Sequence, residues 1–196
     1  MDLFLAICQG LGLALAVGIG GPLAALFIAM MGSLDAGIHP DGTGYDFLAA
    51  TWFLVTLLAL VVLVMVSRNK PSLRYPTIAV LAAIGAIVCA ASFAESGYAA
   101  WPGLVIGALA AALAALVSYG VLEGAIGRAK GNEPGSKEAD AANVLIISFA
   151  VAGVVLAAVS LFVPPVSLLA VAALAYLAFS RRRKADEKYE GLRILR

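Results

Sequence analysis

A continuous apolar segment from Leu3 to Met31 constrains the fold of this chain more than any other feature. It carries no charged residue, and Gln9 is its one strongly polar side chain. An unbroken helix of this length would be about 43 Å long, whereas the hydrocarbon core of a bilayer is about 30 Å thick. The segment is too long for one upright span and too short for two. Because Gly20-Gly21-Pro22 lies in its middle, we expect one tilted helix kinked at that point.

Small residues recur at four-residue spacing along this segment and form two rows. Such rows allow neighbouring helices to approach closely in a membrane. The segment is therefore predicted to be the packed centre of a helix bundle. The first row is Gly10, Ala14 and Gly18, and the second is Gly12, Ala16, Gly20 and Ala24.

The composition is that of an integral membrane protein. Of the 196 residues, 63% are hydrophobic and 13% are charged, whereas a soluble domain is about 45–50% apolar and 25% charged. The formal net charge of +1 gives no indication of nucleic-acid binding. A cleaved signal peptide is not expected, because Asp2 stands where a basic residue is needed and the apolar segment is too long.

Five further apolar segments follow the first. The sequence therefore predicts an all-α polytopic membrane helix bundle with six transmembrane helices. Residues 1–180 would form the transmembrane domain, and residues 181–196 a basic tail. The later segments cover residues 47–66, 76–94, 101–122, 143–163 and 166–179.

The basic residues are sorted by position along the chain. All thirteen Lys and Arg residues lie after the second, fourth or sixth segment, and none lies after the first, third or fifth. Cytoplasmic loops carry such an excess of Lys and Arg. We therefore expect a multi-pass protein of the cytoplasmic membrane with both termini in the cytoplasm. The opposite face would carry Asp35, His39, Asp41, Asp46 and Glu95.

The glycine-rich centre of the first segment is the first candidate substrate-binding site, through Gly18, Gly20, Gly21 and Pro22. A broken helix exposes backbone groups to a substrate in many transporters. Six spans also divide into two halves of three with inverted orientation, which is a transporter pattern. The alternative, which we favour for this motif, is a kink that improves packing.

Three polar side chains complete the set of candidate binding residues. Glu123 is predicted near the cytoplasmic interface, with Tyr119 on the same helix face four residues earlier. A carboxylate at membrane depth is a functional candidate, although hydration or pairing with Arg128 or Lys130 would also explain it. Gln9 either bonds to another helix or contacts a substrate.

Two glycine pairs and the tail are candidate interaction sites. Gly103 with Gly107, and Gly120 with Gly124, are spaced for close helix contacts. Contacts within the chain are favoured, and a homo-oligomer through either pair is the alternative. We expect membrane lipids as partners, and the basic tail 181–196 is a candidate docking segment for a cytoplasmic protein.

No catalytic residue, metal or cofactor is expected. No charged residue or histidine lies in the middle of a predicted span, and the one histidine lies in a loop, so a buried nucleophile has no base. The acidic loop with Asp35, His39, Asp41 and Asp46 offers ligands for a divalent cation, but their spacing matches no known metal loop. A lipid-modifying enzyme using Glu123 or this loop is the least favoured hypothesis.

Three stretches carry a resemblance to a known family. They are Gly10-Leu11-Gly12 through Gly21-Pro22, Gly131-Asn132-Glu133-Pro134 leading to Glu138 and Asp140, and Lys188-Tyr189-Glu190-Gly191-Leu192-Arg193. On these residues most of the chain resembles the bacterial integral membrane proteins of domain-of-unknown-function family 4126. The resemblance implies the multi-pass architecture and no particular activity.

Two functional hypotheses follow from the sequence. The first is a passage or binding crevice for a neutral or lipidic molecule, lined by the glycine-rich first and fourth helices. The second is a membrane scaffold that transports nothing and recruits a partner through its cytoplasmic loop and tail. A cavity at Gly20-Gly21 would favour the first hypothesis, and a solidly packed bundle would favour the second.

Overall fold

The computed structural model describes residues 3–34, 36, 37, 42–67, 73–129, 137–177, 179 and 180. Within these ranges the chain is helical and has no β-strand, which confirms the all-α prediction. A 3-10 turn, Asp46–Ala49, precedes α3. The helices are α1 (Leu3–Gly20), α2 (Pro22–Ser33), α3 (Thr51–Ser67), α4 (Arg74–Glu95), α5 (Trp101–Ala129), α6 (Lys137–Phe162) and α7 (Pro164–Leu177).

Four helices in the described ranges are long and apolar enough to cross a membrane: α1, α4, residues Trp101–Gly124 of α5 and residues Val144–Phe162 of α6. The apolar helices α2 and α7 and the apolar part of α3 are shorter. Exposed aromatic side chains, Trp52, Tyr75 and Trp101, stand at the first turns of α3, α4 and α5, where membrane proteins place interfacial anchors. The structure thus agrees with a helical membrane protein, but it does not confirm six spans.

Helix α1 is the buried centre of the bundle, as predicted. Its two rows of small residues face different neighbours. On the first row, a methyl group added to Gly10 would lie 2.8 Å from Sγ of Cys89 in α4, and one added to Gly18 would lie 2.6 Å from Cβ of Ala114 in α5. On the second row, a methyl group on Gly20 would lie 2.8 Å from Cα of Gly153 in α6. Larger side chains would keep these helices apart.

The predicted kink is instead a chain reversal between α1 and α2. Gly21 has φ 67° and ψ −151°, a conformation essentially restricted to glycine, and Pro22 begins the next helix. Because α2 has twelve residues, it is about 18 Å long. The chain just after α2 lies beside the first half of α1, since Gln9 Nε2 donates to the Gly37 carbonyl at 2.8 Å. Helix α2 therefore runs back along the bundle, antiparallel to α1.

Two hydrogen bonds to the first half of α1 show at which end of the bundle this helix begins. The backbone carbonyl of Ala6 accepts a bond from Ser92 at 3.4 Å, and that of Cys8 accepts one from Ser167 at 2.5 Å. Ser92 lies near the end of α4, whereas Arg74 marks the beginning of that helix. The start of α1 is thus at the end of the bundle opposite to Arg74. The predicted placement of both termini beside the basic connections is not confirmed.

The sharp turn between α4 and α5 makes these two helices an antiparallel hairpin. Gly97 has φ 77°, its N–H donates to the Ala94 carbonyl, and the Tyr98 N–H donates to the Phe93 carbonyl, both at 3.0 Å. This is the bond pattern of a Schellman C-cap, which requires a left-handed residue. The hairpin brings the first turn of α4 level with the last turns of α5.

Candidate functional site

A cavity of about 230 Å³ lies at the junction of α1 and α2. We call it the junction cavity. Residues Gly18 to Pro22 form one wall, and the other walls come from the first turns of α4, the later part of α5 and the middle of α6. The side chains of those walls are Leu73, Arg74, Thr77, Leu81, Ser118, Tyr119, Leu122, Glu123, Ile146, Phe149 and Ala150, with Val64 of α3.

The backbone at the junction carries polar groups that an unbroken helix would satisfy. Pro22 has no N–H, so the carbonyl of Gly18 has no donor four residues later in the chain. No side chain caps the N-terminus of α2. The chain reversal therefore places hydrogen-bonding backbone beside an otherwise largely apolar space.

An ion pair between Arg74 and Glu123 lines the same cavity. Nη1 of Arg74 lies 2.8 Å from both carboxylate oxygens of Glu123. The Arg74 side chain is 28% exposed and that of Glu123 is 58% exposed, so the pair sits at the edge of the bundle. The sequence offered Arg128 or Lys130 as ion-pair partners of Glu123. Among the described residues, Glu123 is paired with Arg74. The pairing follows from the α4–α5 hairpin, in which both residues lie about equally far from the turn at Gly97.

Three hydroxyl groups add to the polar lining. Thr77 Oγ1 donates to the Leu73 carbonyl at 2.7 Å, which satisfies the first turn of α4. Ser118 is 8% exposed, and Tyr119 lies beside it on α5. The cavity thus combines apolar walls with a few hydroxyls and one ion pair, which is the usual chemistry of a small-molecule site.

The structure brings six of the seven predicted binding residues to the junction cavity. They are Gly18, Gly20, Gly21, Pro22, Tyr119 and Glu123. Gln9 lies elsewhere, because it is in the first half of α1 and the cavity is at its end. Its side chain is fully buried and holds the chain after α2 through the bond to Gly37, while its Oε1 atom has no partner among the described residues.

Closely packed small residues surround the first half of α1. We call Gly10, Gly12, Ser92, Ser160 and Ser167 the glycine–serine layer. Ser160 and Ser167 are fully buried, and a Cβ atom on Gly12 would overlap both. Hydroxyl groups satisfy helix carbonyls here, as in the bonds from Ser167 to Cys8 and from Ser160 to Leu156. This layer closes the bundle at the end away from the junction cavity.

The predicted interaction sites have separate outcomes. Gly103 and Gly107 face α4 within the chain, since Cβ atoms there would lie 3.0 Å or less from backbone atoms of that helix. Gly124 has nothing within 4 Å of such an atom. The tail 181–196, together with Asp35, His39 and Asp41 of the acidic loop, lies outside the described residues. Within the described residues, no three His, Cys, Asp or Glu side chains are placed to hold a metal ion.

Comparisons with known proteins give no relative. No family model, curated protein or solved structure matches this chain. Membership of family 4126 therefore stays a prediction.

Sequence reasoning missed several residues of the junction cavity. Arg74, Thr77 and Ser118 were not among the candidates, and neither were the α6 residues Phe149 and Ala150. The short turn near Gly97 was a usable signal for Arg74, because antiparallel neighbours place residues at equal distances from their turn side by side. The α6 residues carried no such signal, since small and apolar side chains occur throughout that helix.

Proposed function

We propose that the junction cavity is a binding crevice for a neutral or lipidic molecule in the cytoplasmic membrane. The observation that carries this proposal is the cavity of about 230 Å³ at the chain reversal, where the sequence had located the candidate site. An engineered cavity of about 150 Å³ in a soluble protein binds benzene. The space here is sufficient for a small ligand or for part of a larger one.

The charge of the lining supports a ligand without net charge. Arg74 and Glu123 neutralise each other, and the other polar groups lining the cavity are uncharged. Burying an isolated ion beside apolar walls is costly. Hydroxyl groups and the Gly18 carbonyl provide hydrogen bonds for an alcohol, ester or amide, and Ile146 and Phe149 provide apolar contact.

The packing of α1 supports a crevice over a continuous passage. The glycine–serine layer brings α1 against α4, α6 and the start of α7, leaving no room for a methyl group at Gly10 or Gly12. A passage would require this layer to separate in a second conformation. We therefore propose binding at one end of the bundle.

The distribution of basic residues supports an orientation for that end. In the sequence, Lys and Arg residues lie between α3 and α4 and again after α5. Arg74, at the start of α4, belongs to the first of these groups. By the positive-inside rule, the junction cavity faces the cytoplasm and the start of α1 faces the opposite side.

Photolabelling with a neutral amphiphile tests the crevice. The purified protein would be photolysed with a diazirine derivative of octanol, and the labelled peptides would be mapped by mass spectrometry. We expect labelling at Tyr119 and Glu123. In Ser118→Phe the added ring fills the cavity and should remove most of this labelling.

The matched control is Leu113→Phe, which adds the same ring to an exposed position of the same helix. It should leave the labelling unchanged. If Ser118→Phe does not fold, Leu122→Trp fills the same space from a partly buried position. Equal labelling of the wild type and a folded, filled variant would refute the crevice.

A further inference from the structure

A second, smaller cavity adjoins the junction cavity. It has a volume of about 120 Å³ and lies between α3 and α4. We call it the lateral groove. The two spaces share part of their lining, so they are neighbours around the same side chains, namely Pro22, Val64, Leu73, Thr77 and Leu81.

The lateral groove opens on the side of the bundle. In the described part of the chain, α3 packs on α2 and on the 3-10 turn before it, and not as a close neighbour of α4. Leu63 and Val80, which line the groove from the two helices, are 61% and 41% exposed. Apolar side chains this exposed face hydrocarbon in a membrane protein. The mouth of the groove therefore lies in the lipid-facing surface.

Arg74 lines the junction cavity and follows Leu73, which lines both spaces, and its guanidinium has N–H groups that Glu123 does not use. A guanidinium has five N–H donors, and both bonds to Glu123 come from Nη1. The Nε atom of Arg74 is buried and has no partner among the described residues. A charged donor without an acceptor is costly, and the guanidinium retains N–H donors for an oxygen acceptor of a ligand.

Glu123 offers the complementary charge at the more exposed side of the pair. An anionic ligand alone would leave the site with net negative charge, whereas a head group bearing both charges would match Arg74 and Glu123 together. The exposed ring of Tyr75, whose centroid lies 6.0 Å from the Arg74 guanidinium, places this pair at an interfacial position. This is where phospholipid head groups reside.

We propose that the ligand of the crevice is a phospholipid with a zwitterionic, amine-bearing head group that is admitted from the side. Its phosphate binds Arg74, its ammonium group binds Glu123, and one acyl chain lies in the lateral groove between α3 and α4. This inference rests on the proposed function of the junction cavity and adds the class of ligand and its route of access.

The test uses the full chain in lipid nanodiscs. Phosphatidylethanolamine carrying a diazirine in one acyl chain would be photolysed, with phosphatidylglycerol carrying the same chain as the anionic comparison. We expect phosphatidylethanolamine to label Leu63 and Val80 severalfold more than phosphatidylglycerol does. Leu109, which is 60% exposed on α5, should be labelled equally by both. Equal labelling of the groove by the two lipids would overturn the inference.

Two variants separate the head-group contact from the groove. Arg74→Met should lower groove labelling about tenfold, the effect of losing one hydrogen bond to a charged group. Val80→Trp should block the groove while leaving Arg74 in place, and Leu109→Trp is its matched control. Unchanged labelling in folded Arg74→Met and Val80→Trp would contradict the proposed binding mode.

Two further measurements distinguish the possible failures. Excess inorganic phosphate should leave the acyl-chain labelling intact; competition would identify a site for free phosphate and overturn the lipid inference. If the octanol probe labels the junction cavity but neither phospholipid labels the groove above Leu109, the ligand class is wrong and the crevice stands. If the octanol probe also fails, the proposed function itself is refuted.

Discussion

The two ends of α1 are both rich in glycine, but helices pack closely around one end and leave a cavity at the other. At the glycine–serine layer the helices are in close contact, and a Cβ atom on Gly12 would overlap Ser160 and Ser167. At the α1–α2 junction, Gly21 has nothing within 4 Å of the position of a Cβ atom, and a cavity remains. In the first region glycine shortens the distance between helices. At the junction Gly18 and Gly20 do the same against α5 and α6, whereas Gly21 reverses the chain.

This difference shows how a membrane bundle can hold a cavity and remain well packed elsewhere. Lipid provides no strong hydrophobic force between helices, so close packing and hydrogen bonds must hold them together. The glycine–serine layer supplies both, for example through the Ser167 bond to the Cys8 carbonyl. The junction leaves space unfilled beside Gly21, while Gly18 and Gly20 keep α1 in contact with α5 and α6.

The sharpest way to break this comparison is a large side chain in the glycine–serine layer. Gly12→Leu would collide with Ser160 and Ser167, and overpacking typically costs about 1–3 kcal/mol, sometimes more. We expect the upper part of this range, with loss of the folded species in size-exclusion chromatography. Gly124→Leu, in open space on an exposed position, is the control and should fold normally. A well-folded Gly12→Leu protein would mean that the layer is not tightly packed.

At the junction we expect strain in place of collision. Gly21→Ala has space for its methyl group but not for its backbone angles, and a residue held in that region costs about 1–3 kcal/mol. The thermal unfolding midpoint in detergent should fall accordingly. The control is Gly32→Ala near the end of α2, which also has free space and should change the midpoint little. Similar midpoints for the two variants would contradict the reversal at Gly21.

The bond from Gln9 to Gly37 links the glycine–serine layer to the chain after α2. Gln9→Leu removes this bond and also removes the unpartnered Oε1 atom, so the two effects partly cancel. We expect a loss of about 1 kcal/mol. Hydrogen exchange should accelerate at Ala36 and Gly37 and remain unchanged at the α4–α5 turn. Uniform acceleration at both places would show that Gln9 supports the whole bundle.

The smallest effect is expected from the Arg74–Glu123 pair. Exposed ion pairs contribute about 0–1 kcal/mol because solvent screens them. A double-mutant cycle with Arg74→Ala and Glu123→Ala should give a coupling energy in this range that decreases with added salt. A larger coupling energy that is insensitive to salt would mean that the pair is buried and stabilises the bundle at the junction cavity.

The sequence sufficed to predict the helical membrane class, the central position of α1 and the grouping of its small residues. These follow from local patterns, because apolar length and four-residue spacing act within one helix. The same patterns identified six residues that the structure brings together, namely Gly18, Gly20, Gly21, Pro22, Tyr119 and Glu123. Their proximity arises because α1 and α5 both end on the same side of the bundle.

The reversal at Gly21 and the pairing of Arg74 could not be predicted in the same way. Gly-Gly-Pro is compatible with a kink or with a turn, and the choice depends on one φ angle that the surrounding helices determine. The two residues of the ion pair are 49 positions apart, and their contact requires the geometry of a hairpin. Gln9 was included among the candidate binding residues because of its polarity. Polarity alone does not show whether a side chain contacts a ligand or another part of the chain, and Gln9 bonds to Gly37.

The central position of α1 has a consequence for biosynthesis. The ribosome makes α1 before α4, α5 and α6, yet those are the helices that cover its two rows of small residues. Until they arrive, lipid tails must solvate bare glycine backbone. The α4–α5 hairpin covers one row first, and the second stays open until translation has passed Ser160 and Ser167. The packing of α1 is therefore completed only after the helices that follow it in the chain have been inserted.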